Sequence, residues 1–314
     1  MSALEKKDQK HKDHSKTQKR PRDAETATVT TEKRPRDAET AMVTTEKTPC
    51  IQPVEDNRKM TMLMKTSQCL QFKALLECLK ELLTEVNVEF TENKGLRLVA
   101  IDPGNVAMVH LEINAIEYFY AKNTVTAGMD MSLLYKMIRC MSSGDLMTWK
   151  IFEDEPHVMY IELANSDRRT ITSNKLKLLD LEEVHISIPP VEYQRVVSMP
   201  SSDLAKYVRE MVTISNIMSV KGTRETLEFF AEGKMASSHI TVRPTSAGLN
   251  WRHETNSEPI EGNFLVKYVE KFVKVSVDTS VEIFLKQDFP LVFRYELSIG
   301  TLRFVIAPVV EEAT

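Results

Sequence analysis

Lysine and arginine recur at helical spacing in four short segments, 67–83, 131–141, 201–218 and 263–274, each with apolar residues on its other side. Residues three, four and seven apart on a helix share a face. Lys267, Lys271 and Lys274 therefore line up, as do Lys206 with Arg209 and Lys136 with Arg139. Lys73 and Lys80 make the weakest face, because Glu77 stands between them. Nine cations on four such faces suit one chemistry, the neutralisation of phosphates on a polyanion, each direct contact adding roughly 0.9 to the salt-dependence slope. One basic pair is ordinary for a solvated helix; four in register are not. No aromatic residues alternate with these cations, so stacking on single-stranded bases is not expected. Nor is there a recognition-helix, zinc-finger or RNP-type pattern to read base edges.

The charge balance sharpens this reading. Of 41 Lys/Arg and 45 Asp/Glu, residues 1–59 hold 14 and 11, which leaves the body with 27 and 34, net −7. A net negative body binds a polyanion only if its cations are segregated in space.

Nucleophilic, hydrolytic and metal chemistry find no support. The chain lacks a G-x-x-x-x-G-K-[ST] loop, a G-x-S-x-G elbow and an H-E-x-x-H pair. Its seven histidines are scattered, and His110 and His239 fall inside strand patterns as structural residues. Asp102 with Pro103-Gly104-Asn105 reads as a turn between strands. Cys50, Cys69, Cys78 and Cys140 form no C-x-x-C pair and read as reduced thiols of a cytosolic or nuclear protein. No catalytic residue, metal ligand or cofactor is expected. No apolar run reaches the length of a membrane span, and the N-terminus lacks the apolar core of a secretory signal.

The elements that must carry the basic faces repeat. Gln68–Leu83 reads as a helix from Phe72, Leu75, Leu76, Leu79, Leu82 and Leu83. Strands follow at Val86–Phe90, Leu96–Ile101 and Val106–Ile113, a helix at Met131–Met141, then strands at Leu146–Phe152, Val158–Leu163 and Thr170–Lys175. The second half repeats the order: a helix Leu204–Ile214 capped by Asp203, strands at 217–220, 226–231 and 238–243, a helix Asn263–Lys274, and strands Val281–Lys286, Leu291–Leu297 and Thr301–Ile306. One or two further short strands have no clear place. Phe72 to Leu204 and Leu134 to Val266 are both offsets of 132 residues. The fold class is α+β, an internally duplicated domain. The expected division is a tail at 1–59, a first domain at 60–175, a connecting strap at 176–193 and a second domain at 194–314.

The tail reads as disordered, without aromatics and with few large apolar residues to offset the entropy of ordering. It contains a tandem repeat, KRPRDAETATVTTE (19–32) then KRPRDAETAMVTTE (33–46), differing only at Thr28 and Met42. Two copies cannot build a solenoid. They read as a duplicated linker, with Lys19-Arg20-Pro21-Arg22 and Lys33-Arg34-Pro35-Arg36 as the alternative of a nuclear-import or nucleic-acid arm. In the strap, LKLLDLEEVHISIPPVEY, Pro189-Pro190 forbids helix or central strand. Its Leu178, Leu181, Val184, Ile186 and Ile188 either pack as ordinary linker or wall a peptide groove.

The stretches LQFKALLECLKELL, GLRLVAIDPGNVAMVHLEI, LKLLDLEEVHISIPPVEY, MPSSDLAKYVREM, FPLVFRYEL and FVIAPVVEE, in this order and spacing, make residues 60–310 resemble the proliferating cell nuclear antigen family of DNA sliding clamps. The resemblance implies a nuclear homotrimeric ring with sheets outside and four helices per chain on the inner face. Such a ring encloses double-stranded DNA without sequence preference. It is placed by an ATP-driven loader and tethers DNA polymerase and repair proteins. The family's inner cations match Lys73, Lys80, Lys136, Arg139, Lys206, Arg209, Lys267 and Lys274; Lys271 is added from helical spacing alone. Partner peptides of the form Q-x-x-aliphatic-x-x-aromatic-aromatic are implied to bind at Ile101, Met108, Ile186, Ile188, Pro290, Val305, Ala307 and Pro308. Val305 stands where the family carries an aromatic residue. Subunits are implied to pair Ile171–Leu176 with Ser237–Val242 of a neighbour. Arg224 falls where the family carries the lysine modified by ubiquitin-like proteins, so that modification is not expected. A subunit of a heterotrimeric DNA-damage checkpoint clamp is the alternative within the same fold.

Overall fold

The computed structural model describes residues 58–182, 186, 191–254, 258–275 and 280–309. The first half runs β1 (Met60–Thr66), α1 (Cys69–Leu79), β2 (Glu85–Thr91), β3 (Gly95–Ile101), β4 (Ala107–Ile113), β5 (Tyr118–Ala121), β6 (Val125–Asp130), α2 (Met131–Ile138), β7 (Asp145–Phe152), β8 (Val158–Asn165) and β9 (Thr170–Lys177). The second half repeats it as β10 (Arg195–Pro200), α3 (Ser201–Ile214), β11 (Ile217–Gly222), β12 (Leu227–Glu232), β13 (Ser237–Val242), β14 (Asn250–Glu254), β15 (Ile260–Leu265), α4 (Val266–Phe272), β16 (Ser280–Leu285), β17 (Leu291–Leu297) and β18 (Gly300–Ile306).

The duplication is present, but each half has more strands than the sequence pattern gives. β1, β5, β6, β10, β14 and β15 are the additions. They are short or carry Met, Gly, Asn or Pro in place of a β-branched alternation, as in MTMLMKT and IEGNFL. β15 also corrects the last helix: Asn263 and Phe264 pair with Ser219 and Met218, so α4 starts only at Val266 and ends at Phe272. α1 stops at Leu79. Leu82 and Leu83 stay buried in a tightened turn, with both N–H groups on the Leu79 carbonyl at 3.0 and 2.9 Å. α3 begins at Ser201, with Pro200 in the cap position and no side-chain cap, so Asp203 sits in the first turn instead of capping it. There its charge favours the positive helix end. α2 ends at Ile138 and does have a carboxylate cap, Asp130 accepting from the Leu133 N–H at 2.8 Å. β9 runs to Lys177 and takes the first two residues of the expected strap.

Three antiparallel sheets result, ordered β5-β1-β7-β8-β9, β14-β10-β16-β17-β18-β4-β3-β2-β6, and β13-β12-β11-β15. Each half contributes a five-stranded and a four-stranded sheet in the same order. The nine-stranded sheet is the five strands of the second half joined to the four of the first through β18 and β4. Seven residue pairs, from Gly300 with Ile113 to Ile306 with Ala107, form that seam. It requires glycine at position 300, where a Cβ would lie 1.9 Å from the Glu112 carbonyl oxygen. The corresponding strands β9 and β13 are sheet edges with largely exposed or half-buried side chains.

Aromatic rings anchor each half's core. Phe72 of α1 meets Trp149 edge-on at 6.1 Å, and Trp149 meets Phe90 at 6.4 Å. In the second half Phe272 of α4 stacks on Phe304 at 4.3 Å, and Phe293 closes on it at 6.0 Å. These contacts press the apolar side of each helix onto its sheets and leave the polar side outward.

Candidate nucleic-acid interface and partner pocket

The four helices form one row. α1 packs on α2 and α3 on α4. α1 and α4 are joined across the halves: Lys271 Nζ donates to the Glu81 carbonyl at 2.7 Å, Lys274 Nζ pairs with Glu81 Oε2 at 2.8 Å, and Cys78 Sγ donates to the Lys271 carbonyl at 3.2 Å. The order is therefore α2-α1-α4-α3, with all nine predicted cations on helices or their last turns.

Their states differ. Lys136, Arg139, Lys206, Arg209, Lys267 and Lys274 are exposed, while Lys73, Lys80 and Lys271 are half-buried. Lys80 lies 3.8 Å above the Tyr135 ring and 3.9 Å from Glu77, and the Tyr135 hydroxyl donates to Glu77 at 2.7 Å. The hydrogen bond to Glu81 raises the Lys274 pKa, against the opposing effect of burial. The outer helices of the row thus present open cations, and the central pair spends part of its charge on holding the halves together.

Three of the predicted pocket residues share one face of the nine-stranded sheet. Ile101, Met108 and Val305 are register partners across β3, β4 and β18, and Val292 continues the row on β17. Ile101 is 44% exposed, large for an isoleucine in a central strand. Pro290 precedes β17, and Ala307 and Pro308 follow β18, where the Ala307 N–H bonds the Val106 carbonyl at 2.9 Å. Ile186 lies over this face: with Val86, Asn87, Val99, Ile101 and Leu181 it lines a groove of about 450 Å³. Ile188 lies outside the described residues. Val305 is a small, half-buried side chain in the middle of the row.

The strap is pinned by residues that sequence patterns do not single out. The Leu179 N–H bonds the Gly128 carbonyl at 2.8 Å. Gly128 admits that approach, since a Cβ there would lie 2.2 Å from the Leu179 oxygen. Asn87 Nδ2 donates to the Glu182 carbonyl at 3.2 Å. At the far end Tyr193 packs edge-on against Phe284 at 5.2 Å and Phe289 at 6.4 Å. A second cleft, also about 450 Å³, opens between β15 and the β16–β17 hairpin, behind Pro308.

Asp102 does more than shape a turn. It is buried, and its carboxylate accepts from the N–H groups of Gly104, Val106 and Ala107 at 2.8, 2.7 and 2.6 Å and from the Tyr268 hydroxyl of α4 at 2.9 Å. Burial pushes its pKa up, but the Ala107 and Gly104 N–H groups, the Tyr268 hydroxyl and the Val106 N–H outweigh burial and hold it below the ordinary value. His110 is buried 3.2 Å from Glu112. Desolvation lowers its pKa against the pull of Glu112, with Arg303 and Arg97 adding to the lowering. His239 sits on edge strand β13, 3.3 Å from Glu228. Arg224 lies in the turn between β11 and β12. Cys69, Cys78 and Cys140 are free thiols. Among the described residues no His, Cys, Asp and Glu cluster is arranged to hold a metal ion, and no helix is long and apolar enough to cross a membrane.

A duplicated chain with this sheet order, outer sheets and a continuous helix row has the fold of a sliding-clamp protomer. Residues 62–185 match the N-terminal domain and residues 187–309 the C-terminal domain of proliferating cell nuclear antigen, and the chain belongs to that family. It is 26% identical over 260 residues to a probable DNA polymerase sliding clamp 1 of Paramecium bursaria Chlorella virus 1, covering 81% of this chain and 99% of the relative. It is 28% identical over 246 residues to proliferating cell nuclear antigen of Saccharomyces cerevisiae, covering 76% and 93%. It is 27% identical over 252 residues to proliferating cell nuclear antigen 2 of Drosophila melanogaster, covering 79% and 97%.

Proposed function

We propose that this chain is a non-enzymatic processivity clamp. Three copies close head to tail around double-stranded DNA, and the pocket beneath the strap tethers DNA polymerase, the clamp loader and other proteins that carry a Q-x-x-aliphatic-x-x-aromatic-aromatic peptide. The observation that carries this reading is the pair of strands β9 and β13. They are the counterparts of β18 and β4, which pair within the chain, yet they end their own sheets. An exposed strand edge is a template for further pairing, and a heterologous contact of this kind generates a ring when its rotation closes. Antiparallel pairing of these edges would bring Ser173, Lys175 and Lys177 of β9 up to Ser237, His239 and Thr241 of β13. The N–H groups of those β9 residues are free to cross, because alternation from the Leu178 N–H, which bonds the His157 carbonyl, points them off the sheet.

In such a ring the helix row faces the hole, and its cations meet phosphates. Contacts made by long, exposed lysines are individually weak and interchangeable, so the ring slides instead of locking to one site. Two partner aromatics buried on the Ile101–Met108–Val305 row would each contribute about 25 cal/mol per Å² of apolar surface. The nucleus is the proposed site of action, with the twin basic clusters of the tail as its import signal; cytoplasmic retention of the tagged full chain would count against it.

The test is the solution mass of the purified chain, followed by retention on a loaded circular duplex before and after the circle is cut. A self-trimer released by cutting is expected. A chain that stays monomeric until mixed with two different clamp subunits would favour the checkpoint reading. With Lys206, Arg209, Lys267 and Lys274 all changed to Ala, retention should fall and its salt dependence flatten; unchanged retention removes the phosphate role.

A further inference from the structure

The turn that shapes one side of the partner pocket is bonded to a helix that carries two of the candidate DNA contacts. Asp102 directly follows Ile101, and the turn it organises ends at Val106, whose carbonyl holds Ala307 beside Pro308. One carboxylate oxygen holds the Val106 and Ala107 N–H groups; the other holds the Gly104 N–H and the Tyr268 hydroxyl. Tyr268 belongs to α4 in the other half of the chain, 166 residues away, and is itself buried. The Nζ atoms of Lys267 and Lys271 lie 5.3 and 5.6 Å from the centre of its ring. Gly104 packs into the same corner: a Cβ there would lie 2.8 Å from the Tyr268 hydroxyl and 2.9 Å from Asp102 Oδ2. Lys267 and Lys271 at the helix row, Tyr268 between them, Asp102, and Ile101 with Ala307 at the pocket thus form one chain of direct contacts.

We infer that Asp102 and Tyr268 are positioning residues through which DNA in the ring tightens the partner pocket. The inference rests on the clamp reading. Phosphates that engage Lys267 and Lys271 pin α4 and, through the Tyr268 hydroxyl, the Asp102–Val106 turn. A pocket already ordered by DNA loses less conformational freedom when a peptide enters, which gives positive coupling without a new contact. The coupling is reciprocal, so the peptide raises DNA affinity by the same factor.

The experiment titrates a labelled Q-x-x-aliphatic-x-x-aromatic-aromatic peptide into the full chain, with and without a short linear duplex at low salt. Wild type and Tyr268→Phe are compared, and solution mass serves as the folding and assembly control. Tyr268→Phe removes one oxygen and keeps the ring between its two lysines. In the wild type the duplex should tighten peptide binding by about threefold or more, a coupling in the usual allosteric range. Tyr268→Phe should keep its mass, bind the peptide without DNA, and lose the response to duplex. Asp102→Asn, which replaces the acceptor facing Gly104 and Tyr268 with a donor, should lose it as well. Equal responses in wild type and Tyr268→Phe, or no response in a wild type that binds both ligands, would overturn the coupling and leave the clamp reading standing. A wild type that fails to bind the peptide at all overturns the pocket itself.

Discussion

The closed seam between β18 and β4 and the open edges at β9 and β13 are built from equivalent strands, and only their surroundings separate them. At the seam, Gly300 lets the backbones approach, and the row Ile101, Met108, Val305 and Val292 runs across strands from both halves. At the edges, β9 carries exposed Thr170, Ile171, Thr172 and Ser173, and β13 alternates exposed and half-buried residues. The same backbone pattern thus serves once as an internal seam and once as an open sheet edge.

Equivalent substitutions on the two sides should have different consequences. Proline at Arg303 removes a rung inside the nine-stranded sheet and should cost roughly 3 kcal/mol of folding stability, read as a lower denaturation midpoint. Proline at Lys175, on the open edge of the equivalent strand β9, should leave the midpoint nearly unchanged and reduce the solution mass from the proposed three chains to one. A folded, still trimeric Lys175→Pro protein would contradict the proposed pairing of the β9 edge. Next in size is Ile101→Asp, which puts a charge at the exposed end of the pocket row and should weaken partner-peptide binding by about a hundredfold with the ring intact.

The helix row offers a finer contrast. Changing the open cations Lys136, Arg139, Lys206 and Arg209 to Ala should lower the salt slope of DNA retention by up to about 0.9 per lost contact. Changing Lys80 and Lys274 should lower it less per residue, since those side chains already engage Tyr135, Glu77 and Glu81. The smallest effects concern titration. The native Asp102 carboxyl is held below its unfolded value of about 3.9, so its stabilising contribution is full above that pH and is lost as pH falls through the native value. Asp102→Asn should therefore show a shallower acid-side loss of stability than wild type. Burial raises the Cys69 and Cys78 thiols to about 11 and about 12, so neither should react with a thiol reagent at neutral pH until the chain unfolds, whereas exposed Cys140 should react at once.

Much of this was legible from sequence because it is periodic. The apolar stripe of Phe72, Leu75, Leu76 and Leu79 marks α1, and the offset of 132 residues that carries α1 onto α3 marks the duplication, although the matching offset expected for the second helix pair does not hold, since α4 starts 135 residues after α2. Six strands were not legible: β1 is rich in methionine, β15 contains Gly and Asn, and tertiary pairing overrode their weak propensity. Of the predicted pocket residues, Ile101, Met108 and Val305 share one face by register and Ile186 lines a groove with Ile101, whereas Pro308 lines a separate cleft. The residues that fix that face, Asn87, Gly128 and Tyr193, act through carbonyls and ring edges and leave no spacing signal. Asp102 was legible as a turn former, but its bond to Tyr268 joins residues too distant in sequence for any local pattern to reveal.

The polypeptide itself backs one kind of joint and not the other. Because residues 178–193 connect β9 to β10, the two halves of a subunit stay tethered even if the β18–β4 ladder is strained. A β9–β13 junction has no polypeptide backing it, only hydrogen bonds and side-chain contact. In the proposed ring, force would part the particle at those junctions, and they could reseal afterwards with every peptide bond intact.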